Sequence, residues 1–139
     1  MRVVFDTNVI FAALYSRQGA SHALLNLVGE ADLQPCLSVA MLFEYEEVLK
    51  SRSELLGLTH KDIEDVLAYF ARVADHIKVF YLWRPCLHDP NDDMILETAV
   101  AGKADFIVTH NVRDFTGAER FGVRIVTPGW LLKNMGGSK

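Results

Sequence analysis

The chain has 139 residues, half of them hydrophobic and 23% charged, with a net charge of −4. That length fits one domain, residues 1–139, with an apolar core large enough to stand without covalent staples. The balance excludes a disordered tail, a collagen-like repeat and a coiled coil, and the acidic net charge argues against a broad basic footprint for nucleic acid, so the question is where the 18 acids sit.

Val3, Val4 and Phe5 form a short apolar run ending at Asp6, which reads as a strand buried on both faces. Residues 8–15 are apolar and helix-compatible, residues 16–19 break the pattern, and residues 21–28 resume it with leucines at helical spacing. Residues 33–37 read as a second strand despite Pro35. Ser38 is placed to cap a helix running to about Lys50, and Thr59 another reaching about Asp75 with Asp62 in its first turn. Residues 77–82 alternate and read as a strand. Asp89 and Pro90 read as N-cap and first residue of a helix ending near Gly102. Residues 106–108 are a strand ending at Thr109, and residues 124–126 are the last strand. Thr127 and Pro128 open a short terminal helix. Short apolar strands alternating with helices predict an α/β fold with a parallel sheet covered on both faces. Ligands then bind beyond the carboxyl ends of the strands, the edge where Asp6 and Thr109 fall.

No apolar run approaches the ~18 residues of a membrane span. The first strand-like run starts at Arg2, so no secretory signal is expected. Cys36 and Cys86 suit neither a disulfide framework nor a C-x-x-C pair, which points to a reducing, cytoplasmic compartment.

Helical spacing ranks the acids. At three, four, seven and eight positions beyond Asp92 stand Ile95, Leu96, Ala99 and Val100, so Asp92 shares the core-facing stripe; Asp93 borders it and Glu97 falls on the far side. N-capping is a sufficient account of Asp89. In the helix after Ser38, Glu44 flanks the arc of Met41, Leu42, Tyr45, Val48 and Leu49, and is the glutamate expected to be half-buried, while Glu46 and Glu47 fall on the polar side. Capping explains one aspartate at position 6 but not three acids aimed at one sheet edge. Clustered carboxylates repel unless a cation intervenes, and oxygen donors without His or Cys favour Mg²⁺ or Mn²⁺ over Zn²⁺. His22, His60, His76 and His88 have no helix-spaced partner and are not expected to bind metal.

Four segments occur in order: Asp6-Thr7-Asn8 after the first strand; Glu44 followed by Val48-Leu49; Asp89-Pro90-Asn91-Asp92-Asp93; and Val108-Thr109-His110-Asn111-Val112-Arg113-Asp114-Phe115. Together they resemble the PIN-domain family, in particular its VapC-like ribonuclease toxins, over essentially the whole chain. The resemblance implies a three-layer α/β/α sandwich with a short parallel sheet. It also implies an Mg²⁺- or Mn²⁺-dependent ribonuclease, with RNA as substrate, a small antitoxin as partner and a homodimer as assembly. Carried over by position, Asp6, Glu44 and Asp92 are the metal ligands and catalytic acids. Many relatives carry a further acid where Asn111 stands here; Asp114 is the alternative for that role. Thr7, Asn8, Asp93 and Thr109 are candidates for orienting carboxylates and water.

Arg17, Arg84, Lys103, His110 and Arg113 are candidates for substrate contact, Arg113 foremost, each with a solvated surface charge as the plain alternative. The leucine-rich stretch with Leu24, Leu25, Leu27 and Val28 is a candidate dimer seam or antitoxin groove, core packing being its plain alternative. Two rivals stand beside the nuclease. A phosphatase of the haloacid dehalogenase type would want a second aspartate where Asn8 stands. An inactive PIN module would bind RNA or protein without cutting.

Overall fold

The computed structural model describes residues 1–30, 32–79, 87 and 89–136. Strand β1 (Arg2–Phe5) is the centre of a five-stranded parallel sheet. Its neighbours are β2 (Gln34–Leu37) and β4 (Phe106–Val108), with β3 (Asp75–His76) beyond β2 and β5 (Arg124–Val126) beyond β4. A strand paired on both edges and covered on both faces must be apolar throughout, and Val3, Val4 and Phe5 are all fully buried. Pro35 is tolerated because the Gln34 N–H already faces β1, bonding the Met1 carbonyl at 2.8 Å. The Pro35 nitrogen therefore faces the other way, where β3 begins only opposite Cys36.

Helix α1 (Thr7–Tyr15) follows β1 directly, and α2 (Ala20–Leu27) follows the break at residues 16–19. Gly29, which turns the chain toward β2, has φ +82°, and a Cβ there would meet Val73 at 3.1 Å. Helix α3 (Val39–Ser51) is capped by Ser38, whose Oγ accepts from the Met41 N–H and from the Thr98 hydroxyl. A single turn, α4 (Ser53–Leu56), closes at Gly57, and α5 (His60–Val73) opens with a reciprocal capping box between Thr59 and Asp62. Helix α6 (Pro90–Ala101) starts at its Asp89 cap. Two 3-10 turns, Val112–Phe115 and Ala118–Phe121, link β4 to β5, and α7 (Pro128–Gly136) ends the described chain.

The chain steps from β1 to β2 to β3 in one direction, then crosses back through α6 to β4 on the other side of β1. With right-handed crossovers this sets α6 on the opposite face from α1, α3 and α5, giving the expected α/β/α layering. Helix α6 packs on β1, β2 and β4, while α1 packs on α2, α3 and α4, and α3 on α5. Phe70 of α5 meets Phe5 and Tyr45 edge-on at 6.1 and 5.9 Å, tying β1, α3 and α5 into one core. Cys36 in β2 is a fully buried free thiol, its pKa raised by burial. Among the described residues no helix is long and apolar enough to cross a membrane.

Two expectations are corrected, and the alternative left open at 24–28 is resolved as core packing. The strand placed at 77–82 pairs two residues earlier, at Asp75–His76; residues 80–82 lie outside the described residues. The reason is its partner: β2 ends at Leu37, whose carbonyl takes the Ile77 N–H at 2.9 Å, and the chain then turns away into α3. The stretch at 24–28 is core: Leu24 and Val28 are fully buried, and Leu25 and Leu27 are packed against the core. The large apolar side chains that are exposed stand elsewhere, among them Tyr15, Val39, Phe43 and Leu55. Glu97, expected on the far side of α6, is buried, because that helix is covered around most of its girth.

Candidate active site

Asp6 is the first residue beyond β1 and the N-cap of α1, so its position follows from where the strand ends. Its N–H bonds the Val108 carbonyl of β4 at 2.9 Å. Its Oδ1 accepts from the Thr7 N–H at 2.8 Å, and its Oδ2 accepts from the Thr109 hydroxyl at 2.7 Å. The side chain is thus aimed by both central strands. Burial pushes its pKa up, the Thr109 and Thr7 bonds pull it back, and the charge of Asp114 pushes it up again. Thr109 also accepts from the Asn111 N–H at 3.0 Å, and Asn8 Oδ1 accepts from the His110 N–H at 3.4 Å, so the turns after β1 and β4 are laced together.

Tyr45, one residue past Glu44, is fully buried and donates its hydroxyl to the Phe5 carbonyl. That bond anchors α3 against the end of β1 and brings half-buried Glu44 to the edge that Asp6 occupies. Helix α6 brings its first turn to the same edge. The result is a cleft of roughly 280 Å³ lined by Asp6, Thr7, Asn8, Phe11, Glu44, Val48, Arg52, Asp89, Asn91, Asp92, Ile95, Asn111 and Asp114. It lies at the carboxyl ends of β1 and β4, the neighbours from which the chain departs in opposite directions, where open parallel sheets form a crevice.

The carboxylates sense one another. Asp92 is pushed up to about 7, first by burial and then by the charges of Asp6, Asp89, Asp114 and Asp93. Glu44 is raised by burial, then by Glu47, Asp89 and Asp6. Asp6, Glu44, Asp92 and Asp114, from four separate segments, share the one cleft. Still, among the described residues no three His, Cys, Asp or Glu side chains converge closely enough to hold a metal ion as they stand.

The other sequence candidates divide. Thr7, Asn8 and Asn111 line the cleft, while Thr109 stands behind it on Asp6. Asp93 is buried outside the lining, its Oδ1 accepting from the Leu87 N–H at 3.1 Å. Arg113 is exposed in the first 3-10 turn and does not line the cleft. His110 lies beside the site, its ring Nε2 3.2 Å from Ser21 Oγ, and Arg17 is exposed in the turn after α1. Lys103 is at the opposite edge: α6 carries the chain back past the sheet, so residue 103 precedes β4 rather than following it. Arg84, Cys86 and His88 lie outside the described residues. Glu46 joins Glu44 in being half-buried, through its 2.8 Å ion pair with Lys50.

Sequence reasoning treated Asp89 only as a cap; it caps α6, accepting from the Asn91 N–H, and also lines the cleft. It passed over Phe11 and Arg52 altogether. The signal was present in the spacing, because Thr7 and Phe11, like Glu44, Val48 and Arg52, recur every four residues along one helix face.

The family model of the PIN domain matches residues 2–113. No curated protein matches the chain. Among solved structures, the chain is similar to one from VapBC2 of Rickettsia felis bound to a DNA fragment from their promoter. That likeness has a TM-score of 0.64 and 18% identity, and covers 91% of this chain and 98% of that one. It is also similar to one from VapBC-1 of nontypeable Haemophilus influenzae, with a TM-score of 0.64 and 14% identity, covering 93% of this chain and 99% of that one. At such identities the likeness speaks for the fold, and the family model, spanning the segments that carry Asp6, Glu44 and Asp92, speaks for descent: the chain belongs to the PIN-domain family.

Proposed function

We propose that this chain is an Mg²⁺- or Mn²⁺-dependent endoribonuclease, the VapC-like toxin of a toxin–antitoxin pair, hydrolysing RNA phosphodiester bonds in the cleft at the ends of β1 and β4. The observation that carries the reading is the meeting of Asp6, Glu44, Asp92 and Asp114 in one cleft where Arg52 is the one cationic lining residue among those described. That donor set, oxygen without His or Cys, suits a hard divalent ion. Mg²⁺ typically keeps several waters and takes one or two carboxylates plus substrate phosphates, so acids that line an open cleft without touching also suit it. Asp6, Glu44 and Asp92 would hold the ion; when bound it neutralises charge on the phosphoryl oxygens and acidifies a water.

The chain's own groups supply the rest. Thr109 and the Thr7 N–H hold both oxygens of Asp6 in one orientation. Asp114, exposed and lining the cleft, would take a proton from the attacking water at its carboxylate. Displacement at phosphorus by that water would break the bond to the 3′ oxygen, which takes a proton from solvent, leaving a 5′-phosphate and a 3′-hydroxyl. The likeness to VapBC chains supports a small antitoxin as protein partner. Val39 and Phe43, exposed one turn apart on α3, offer contact area for it or for a second copy in a homodimer. Cytoplasmic residence goes with an RNA substrate.

A second reading, a PIN module that binds RNA or protein without cutting, is favoured by Asn111 at a position acidic in many relatives and by the unconverged acids. One experiment separates them. With Mn²⁺, the purified chain should cleave RNA and Asp6→Asn should abolish cleavage. The fold should remain intact or become firmer, since burial already disfavours the Asp6 charge. Full activity in Asp6→Asn, with contaminating nuclease excluded, overturns the assignment; RNA binding without cleavage by the natural chain supports the second reading.

A further inference from the structure

Arg52 sits among carboxylates yet makes no ion pair with any of them among the described residues. Its backbone is fixed at the junction of α3 and α4: the N–H bonds the Leu49 carbonyl at 3.2 Å, and the carbonyl accepts from the Leu56 N–H at 3.0 Å. Its guanidinium carbon lies 4.8 Å from the centre of the Phe11 ring. Phe11 in turn stacks on Tyr15, with centroids 5.7 Å apart and planes 15° from parallel. Tyr15 is 58% exposed. Arg52, the residue just past α3, continues the line of Glu44 and Val48 about 12 Å from Glu44 along the helix axis. Thr7, Phe11 and Tyr15 run down one face of α1 in the same way. Away from its acids the cleft is therefore lined by Phe11 and Arg52, and Tyr15, stacked on Phe11 one turn further along α1, lies just outside that lining.

We propose that Arg52, Phe11 and Tyr15 form a subsite for one nucleotide of single-stranded RNA beside the scissile bond. Arg52 would hold its phosphate and Tyr15 would stack on its unpaired base. This rests on the nuclease reading and adds the residues that would grip the strand away from the acids. Beyond the reach of the ion proposed for Asp6, Glu44 and Asp92 the acids repel phosphate, and Arg52 is the one cationic lining residue among those described that can offset this. A guanidinium resting its face on a ring keeps its edge N–H groups free for a phosphate oxygen pair. Aromatic faces stack on bases of any identity, but only where the base is not already buried in a duplex.

The test uses the Asp6→Asn chain, so that binding is read apart from cleavage, with a fluorescein-labelled oligoadenylate and its fully abasic counterpart as probes in an anisotropy titration. Tyr15→Ala should weaken oligoadenylate binding by roughly tenfold and leave abasic binding unchanged. Tyr15→Phe should restore the preference. Arg52→Ala should weaken both probes and lower the slope of log affinity against log salt by about 0.7. The proposal is overturned if Tyr15→Ala weakens both probes equally or neither, if Arg52→Ala keeps its salt slope, or if oligoadenylate does not bind. Failure here with metal-dependent cleavage intact in the natural chain sinks the subsite alone; loss of cleavage as well would sink the nuclease reading.

Discussion

Asp92 carries the most strained charge of the cleft. Burial and the neighbouring carboxylates lift it from an ordinary 3.8 to about 7, so folding favours its protonated form. Its contribution to stability is therefore complete below pH 3.8 and is lost as pH rises through about 7. In a metal-free buffer, urea midpoints should fall across that window and Asp92→Asn should flatten the fall. Because the group is partly wet, the slope will be shallower than for a sealed carboxyl. Its inward position was legible from Ile95, Leu96 and Ala99, all now buried. The burial of Asp93 and Glu97 was not, because periodicity finds one apolar face and is silent about a helix covered on the other sides as well. Arg52 escaped because it lies past the last helical residue of α3, though its spacing from Glu44 and Val48 continues the same line.

The elements show where local chemistry dictates structure and where it does not. Thr59 and Asp62 satisfy each other's backbone N–H groups at the start of α5, at 3.0 and 2.9 Å. That pair was readable from the sequence. Thr59→Ala should cost about 1 kcal/mol, seen as a lower urea midpoint with unchanged m-value. The caps at Asp6 and Ser38 were equally readable, as short polar side chains shortly before apolar helical runs, and the cap at Asp89 from the proline that follows it. The β3 pairing was not: its two residues are exposed, and only the length of β2 decides which of them join the ladder. The single turn α4 is too short to display a period at all.

For the whole molecule, strand order decides what meets what. Asp6 and Asp92 are far apart in sequence, and their proximity depends on the return crossover that sets β4 beside β1, a choice that no periodicity records. The divalent ion proposed to bridge them would bind only the folded chain, so on that proposal Mn²⁺ should raise the melting temperature. Saturation at a hundred times the dissociation constant is worth about 2.7 kcal/mol. Asp6→Asn should blunt the shift, measured by calorimetry at fixed protein concentration. Cys36 sits in the strand next to that crossover point, its thiol sealed from solvent. An alkylating reagent can reach it only while β2 is detached from the sheet. The rate at which that sulfur becomes capped thus counts how often the scaffold beneath the cleft comes apart, an intrinsic clock for the lifetime of the assembled core.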